Sequence, residues 1–183
     1  AYVAAHAGID ATNAEGYLAE LATLHTELQA TVAAIPEQNR VIVTNHLALN
    51  YFAARFGLAQ AGVVIPGGST TAEPSVQDVL ALIETIREYG VPAIFTETTV
   101  SDSLAQQIAE EAGAAVVALY TGSLSPADGP AATYLDYMRF NAATIAAAFH
   151  VILFLIHFPE MTREVRAGTQ RERKIFVVQQ PKF

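Results

Sequence analysis

The stretch Arg40–Ile65, RVIVTNHLALNYFAARFGLAQAGVVI, decides the fold. Within RVIVT the run VIV is β-branched and continuously apolar, the composition of a strand covered on both faces. From Leu47 to Phe56 the apolar residues move to helical spacing, and Gly57 closes the run because glycine accepts the left-handed backbone that ends a helix. AGVVI, at 61–65, is again strand-like. A strand, a short helix and a second strand describe one right-handed crossover between parallel neighbours.

The alternation continues downstream. After the loop PGGSTTAEPS, Val76, Val79, Leu80, Ile83 and Ile86 share one helical face that ends at Gly90. PAIFTE then reads as strand, Ser101 to Ala112 as a helix with Ser101 as its N-cap, and AAVVALY as a fourth strand. A final helix begins near Ala132, beyond the loop TGSLSPADGPA. Upstream, Tyr17, Leu21, Leu24, Leu28, Val32 and Ile35 fall in steps of three and four from Thr12 to Ile35, where Pro36 stops them. The predicted class is α/β: a four-stranded parallel doubly wound sheet flanked by helices, preceded by a long amphipathic helix. The predicted organisation is a long helix over 1–35, the α/β lobe over 36–149 and a tail over 150–183 that is first apolar and then basic.

Composition narrows the function. The 183 residues contain no cysteine, so thiolate metal sites and disulfides are excluded and any metal must take nitrogen or oxygen ligands. Residues 1–150 carry fifteen acids against four arginines, and 151–183 six bases against three acids, which is −11 and +3. An acidic body repels phosphate and attracts cations, which argues against a nucleic-acid partner. The apolar run 142–158 contains two histidines and 17 residues, short of the roughly 20 a spanning helix needs, and is expected to be a buried terminal helix rather than a membrane segment. No signal-peptide pattern occurs in the residues given, which open AYVAAHAGID.

In open parallel sheets, ligands bind outside the carboxyl ends of the strands. The first strand delivers Thr44, Asn45 and His46 there; the third delivers Thr96, Glu97 and Thr98; the fourth delivers Tyr120, Thr121, Gly122 and Ser123. Two roles fit His46. It is a neutral imidazole ligand for a zinc-class ion, favoured by the positive end of the helix it opens, or it is a capping and packing residue. Glu97 has three roles open to it: binding metal directly, orienting His46 by accepting its free ring N–H, or capping the turn before Ser101. His6, His25, His150 and His157 have no i,i+4 histidine partner and no HExxH arrangement. PGGST lacks both phosphate-loop spacings and reads as an ordinary loop, and no GxSxG elbow occurs.

In their order, IPEQNRVIVTNHLALNYFAARFGL, PSVQDVLALIETIREYGVPAIFTETT and GPAATYLDYMRFNAATIA resemble the carboxyl-terminal lobe of the zinc- and manganese-type solute-binding proteins of ABC importers. The resemblance implies two lobes joined by a rigid helix, with a divalent metal in the cleft held by two ligands from each lobe. It implies His46 as a metal ligand leaning towards Zn2+, with Mn2+ the alternative, and Glu97 as its supporting acid. It also implies a membrane permease as partner and a periplasmic or extracellular membrane-attached location. Two departures accompany it. Gly122 stands where the family's loop aspartate ligates, with Asp128 or water the remaining candidates. The amino-terminal lobe is not among these residues, so metal binding by this chain is expected to be weak. A small α/β enzyme using His46 and Glu97 as an acid–base pair is the alternative function, an inactive interaction module another. The exposed lobe face is the surface through which a second copy would pair.

Overall fold

The computed structural model describes residues 12–66 and 74–157. Its elements, in chain order, are α1 (Thr12–Ala33), β1 (Val41–Thr44), α2 (Asn50–Phe56), β2 (Ala59–Val63), α3 (Val76–Tyr89), β3 (Ala93–Glu97), α4 (Ser103–Ala112), β4 (Ala115–Leu119) and α5 (Tyr134–His157), with a short 3-10 turn at Glu37–Asn39. All strand pairings are parallel and the order is β2-β1-β3-β4. The first crossover therefore runs to one side of β1 and the next two to the other, so the chain reverses direction between β1 and β3. Contacts divide the protein into two compact units, residues 1–149 and 150–183. The first contains the sheet; of the second, only the end of α5 is described.

The burial of the strands explains their composition. All five residues of β3 are buried, as are Ile42, Val43 and Thr44 of β1, because these two strands lie in the middle with helices on both faces. One face packs Ile42, Phe95 and Leu119 against Val32 and Ile35 at the end of α1, Leu49 and Ala53 around α2, and Ile145 and Phe149 of α5. The other packs Val43 and Ile94 against Ile83 and Ile86 of α3 and Ala105 and Ile108 of α4. Fully burying a side chain such as Phe95 contributes about 1.5–3 kcal/mol. The helices α2, α3 and α4 each end on a left-handed glycine, Gly57, Gly90 and Gly113, and each turn leads within a few residues into the amino end of the next strand.

Several details differ from the sequence reading. The helix after β1 starts at Asn50, not Leu47, because the His46 carbonyl is taken locally by Ala48 N–H at 2.8 Å and by the Thr44 hydroxyl at 2.7 Å; the helical ladder begins only with Ala53 N–H to Leu49 O at 2.7 Å. The second strand is Ala59–Val63 rather than 61–65, with a bulge opposite Ile42 and Val43, although Val64 and Ile65 still donate to Thr44 and Asn45. On α3, Val76 and Leu80 are exposed and Leu82 is buried instead. Leu82 reaches the sheet at Gly62, where an added Cβ would lie 2.5 Å from Leu82 Cδ1. Ser101 is not a cap: α4 starts at Ser103 behind Asp102, and the Ser101 hydroxyl faces that of Ser103. Ser75, by contrast, forms a reciprocal capping box with Asp78 at the start of α3.

The long helix is covered only in part. Leu24, Leu28, Val32 and Ile35 are buried, whereas Tyr17 and Leu18 remain exposed. A helix of 22 residues spans about 33 Å, and its fully buried residues begin only at Leu24. In the apolar run of α5, Ala142, Ile145, Ala146 and Phe149 are buried. No helix among the described residues is long and apolar enough to cross a membrane. Most of PGGST, with His6 and the tail beyond residue 157, lies outside the described residues.

Candidate functional site

The reversal of direction between β1 and β3 leaves a crevice outside their carboxyl ends, and the sheet register determines which side chains meet there. Thr44 pairs with Phe95, and Glu97 with Leu119. Asn45 N–H then donates to Phe95 O at 2.8 Å, and Thr98 N–H to Leu119 O at 3.2 Å, so the strands stay in step past their formal ends. Two residues beyond Thr44 is His46; two beyond Phe95 is Glu97; two beyond Leu119 is Thr121. The period-two alternation of strands brings these three to the same side of the sheet.

They touch. His46 Nδ1 is in direct contact with Glu97 Oε1, and the Thr121 hydroxyl donates to Glu97 Oε2. The Glu97 side chain is only 8% exposed, against 27% for His46, so the carboxylate is the buried partner and the imidazole the one that reaches solvent. A carboxylate oxygen only accepts, so in the neutral ring this contact calls for the hydrogen on Nδ1 and the lone pair on Nε2. Glu97 is therefore engaged with His46 and Thr121 and does not cap the following turn.

The backbone around the imidazole is fixed from below. Gln60 Nε2 donates to Thr44 Oγ1 at 2.7 Å, and that hydroxyl in turn donates to the His46 carbonyl. Asn45, fully buried on the opposite side, donates through Nδ2 to Ser101 O at 3.4 Å. His46 thus sits in a turn four residues before α2, and the helix-terminus argument for its ring does not apply.

On the other flank, α5 grips the segment after β4. Asn141, buried, accepts from Tyr120 N–H at 3.1 Å and donates to Tyr120 O at 2.6 Å, while the Tyr137 hydroxyl donates to Thr121 O at 3.3 Å. Desolvation pushes the Tyr137 phenol above its ordinary value, with the negative charge potential of Tyr134 and Glu97 adding to it. Sequence reasoning put Thr121 on the rim without giving it a role, and did not name Asn141. The available signal for Thr121 was its spacing of two from the last apolar residue of β4, the same spacing that places His46 and Glu97.

The remaining candidates do not join this site. Among the described residues, no group of three or more His, Asp or Glu side chains is arranged to hold a metal ion. Asp128 is exposed in the loop before α5. Gly122 is exposed too, and its φ is not left-handed; a Cβ there would lie 3.5 Å from Thr99 Oγ1, an ordinary contact. His25 lies on α1 beside Arg55 and Phe56, bordering an apolar groove of about 420 Å³ between α1, α2 and α5.

The architecture is that of an open parallel α/β lobe with an imidazole and a buried carboxylate at its switch point. The family described as zinc-uptake complex component A, periplasmic (ZnuA), matches residues 2–148, and the chain belongs to it. The chain is 33% identical over 146 residues to the iron-binding protein YfeA of Yersinia pestis, across 79% of this chain and 46% of that protein. It is 30% identical over 135 residues to the zinc-binding protein AdcA of a Streptococcus pyogenes M6 strain, across 73% of this chain and 25% of that one. A solved Mn-bound periplasmic metal binding protein from Candidatus Liberibacter asiaticus superposes with a TM-score of 0.64 at 32% identity, over 75% of this chain and 50% of the other. The chain thus spans about half the length, or less, of the relatives it matches.

Proposed function

We propose that this chain is the carboxyl-terminal lobe of a divalent-metal receptor that delivers its ion to an ABC importer, with His46 Nε2 as the lobe's nitrogen ligand and Glu97 as the acid that holds the ring. The observation that carries this reading is the contact between His46 Nδ1 and the buried Glu97 carboxylate, which leaves the exposed nitrogen as the one free to ligate. Carboxylate-backed histidine is the usual arrangement at protein metal sites, because the acid selects the tautomer and raises the basicity of the ligating nitrogen. Capture, not catalysis, is the activity, in keeping with a family of transport receptors.

One imidazole cannot build the four-coordinate site zinc prefers. The facing half of the receptor completes it, so this lobe alone binds weakly. The nitrogen donor leans towards Zn2+, with Mn2+ the second choice. Location follows the relatives: periplasmic, or held at the outer face of the membrane. The test is thermal unfolding with and without Zn2+ in the receptor joined to its amino-terminal half. A ligand at 100 times its Kd stabilises by about 2.7 kcal/mol. His46→Ala is expected to abolish that gain; an unchanged zinc affinity would remove His46 from the site.

A further inference from the structure

Thr121 lies two residues past the end of β4, where no strand partner holds it, yet its hydroxyl meets a buried carboxylate. That position is maintained by α5. Tyr137 and Asn141, four residues apart, project from one strip of the helix. The first bonds the Thr121 carbonyl, and the second bonds both backbone polar groups of Tyr120. A chain of contacts therefore runs from α5 through Thr121 Oγ1 to Glu97 Oε2, and from Glu97 Oε1 to His46 Nδ1.

We propose that Thr121 is a positioning residue: its hydroxyl, clamped by α5, fixes the rotamer of Glu97 and through it the orientation and tautomer of the His46 ring. The consequence for affinity rests on the metal-receptor reading above; the consequence for the ring does not. A carboxylate with one partner can rotate about its terminal torsion, which is broad and roughly two-fold. With both oxygens engaged, Oε1 stays aimed at Nδ1. Thr121 touches no ligand itself, and acts by denying Glu97 its alternatives.

The experiment uses the 183-residue chain, with the His46 ring nitrogens observed by 15N NMR at one fixed pH and Zn2+ then titrated in alone. The wild type is expected to show the Nδ1–H form. Thr121→Val keeps the shape and removes the hydroxyl; it should yield a mixture of tautomers and a Zn2+ affinity lower by about tenfold. Thr121→Ser restores the hydroxyl and should restore both signals. Tyr137→Phe removes one anchor of the clamp and should move the ring signals in the same direction by less, which keeps the question open to test should the valine variant not fold. Unchanged ring signals in Thr121→Val, or a serine variant as altered as the valine one, would overturn the proposal. If the ring signals respond as expected while His46→Ala binds Zn2+ normally, the positioning role stands and the metal-ligand reading falls.

Discussion

Replacing Glu97 separates the geometry it imposes from the charge it carries. In Glu97→Gln the amide oxygen can still accept from His46 Nδ1–H, and the amide nitrogen can donate to Thr121 Oγ1, whose hydroxyl accepts as readily as it donates. Both contacts to the buried carboxylate survive without charge. A hydrogen bond to a charged group contributes about 1.5–3 kcal/mol and a neutral one about 0.5–1.5. Two weakened bonds cost about 2 kcal/mol, partly offset because no charge is then buried. At about 2–4 °C per kcal/mol for a domain of this size, Tm falls by at most about 8 °C. Glu97→Leu removes both acceptors and leaves His46 Nδ1, a buried atom, without one, which adds about 1–3 kcal/mol to its stability cost. Metal affinity, rather than stability, reads the aim of the ring. Zn2+ titration by calorimetry, in the receptor joined to its other half, is expected to show a loss near tenfold for glutamine and near a hundredfold for leucine. Leucine binding like wild type, or glutamine as damaging as leucine, would refute the claim that Glu97 works by aiming the ring.

Gly122→Asp supplies the loop carboxylate that the family resemblance implies at this place, without backbone strain, since the added Cβ meets only Thr99 Oγ1 at 3.5 Å; it is expected to tighten Zn2+ or Mn2+ binding by about tenfold, about 1.4 kcal/mol, measured calorimetrically. Gly62→Val drives a side chain into Leu82 Cδ1, 2.5 Å from the new Cβ, and overpacking of this kind costs about 1–3 kcal/mol, visible as a lower urea midpoint at unchanged slope. The Asp78 carboxyl is held below its ordinary value first by the Ser75 hydroxyl and then by the Ser75 backbone N–H. The unfolded chain therefore takes up that proton first. The cap's contribution is intact above about pH 4 and is lost as pH falls through the depressed folded value. Asp78→Asn should flatten that acid limb in pH-dependent unfolding curves.

Much of this was legible in the sequence because the central strands are covered on both faces. VIVT and AIF cannot alternate with polar residues when neither side meets water, and glycine after each helical run marks where the chain turns back. The start of α2 was not legible, because a hydroxyl from Thr44 competing for the His46 carbonyl leaves no trace in hydropathy. The inward face of α3 was misjudged for a different reason. Val76 and Leu80 fit the periodicity as well as Leu82 does, and the glycine on the facing strand decides in favour of Leu82. At the site, His46 and Glu97 stood out by chemical type, but Thr121 is a residue any loop could contain, and only the register shared by β1, β3 and β4 reveals what it faces.

The three glycine-ended turns all lie at the amino edge of the sheet, whereas the connections leaving the carboxyl edge run through 45–49, 64–75, 98–102 and 120–133. Tolerance to changes in chain length is therefore polarised across the lobe. A residue added beside Gly57, Gly90 or Gly113 must break a left-handed turn that sets the phase of the next strand, and would slide every inward side chain to the wrong face. A residue added to a carboxyl-edge loop beyond Ile65 or Thr98, past the last inter-strand bond, disturbs no pairing. Relatives that differ in the ion they carry can diverge at one rim while the opposite rim keeps the strands in phase.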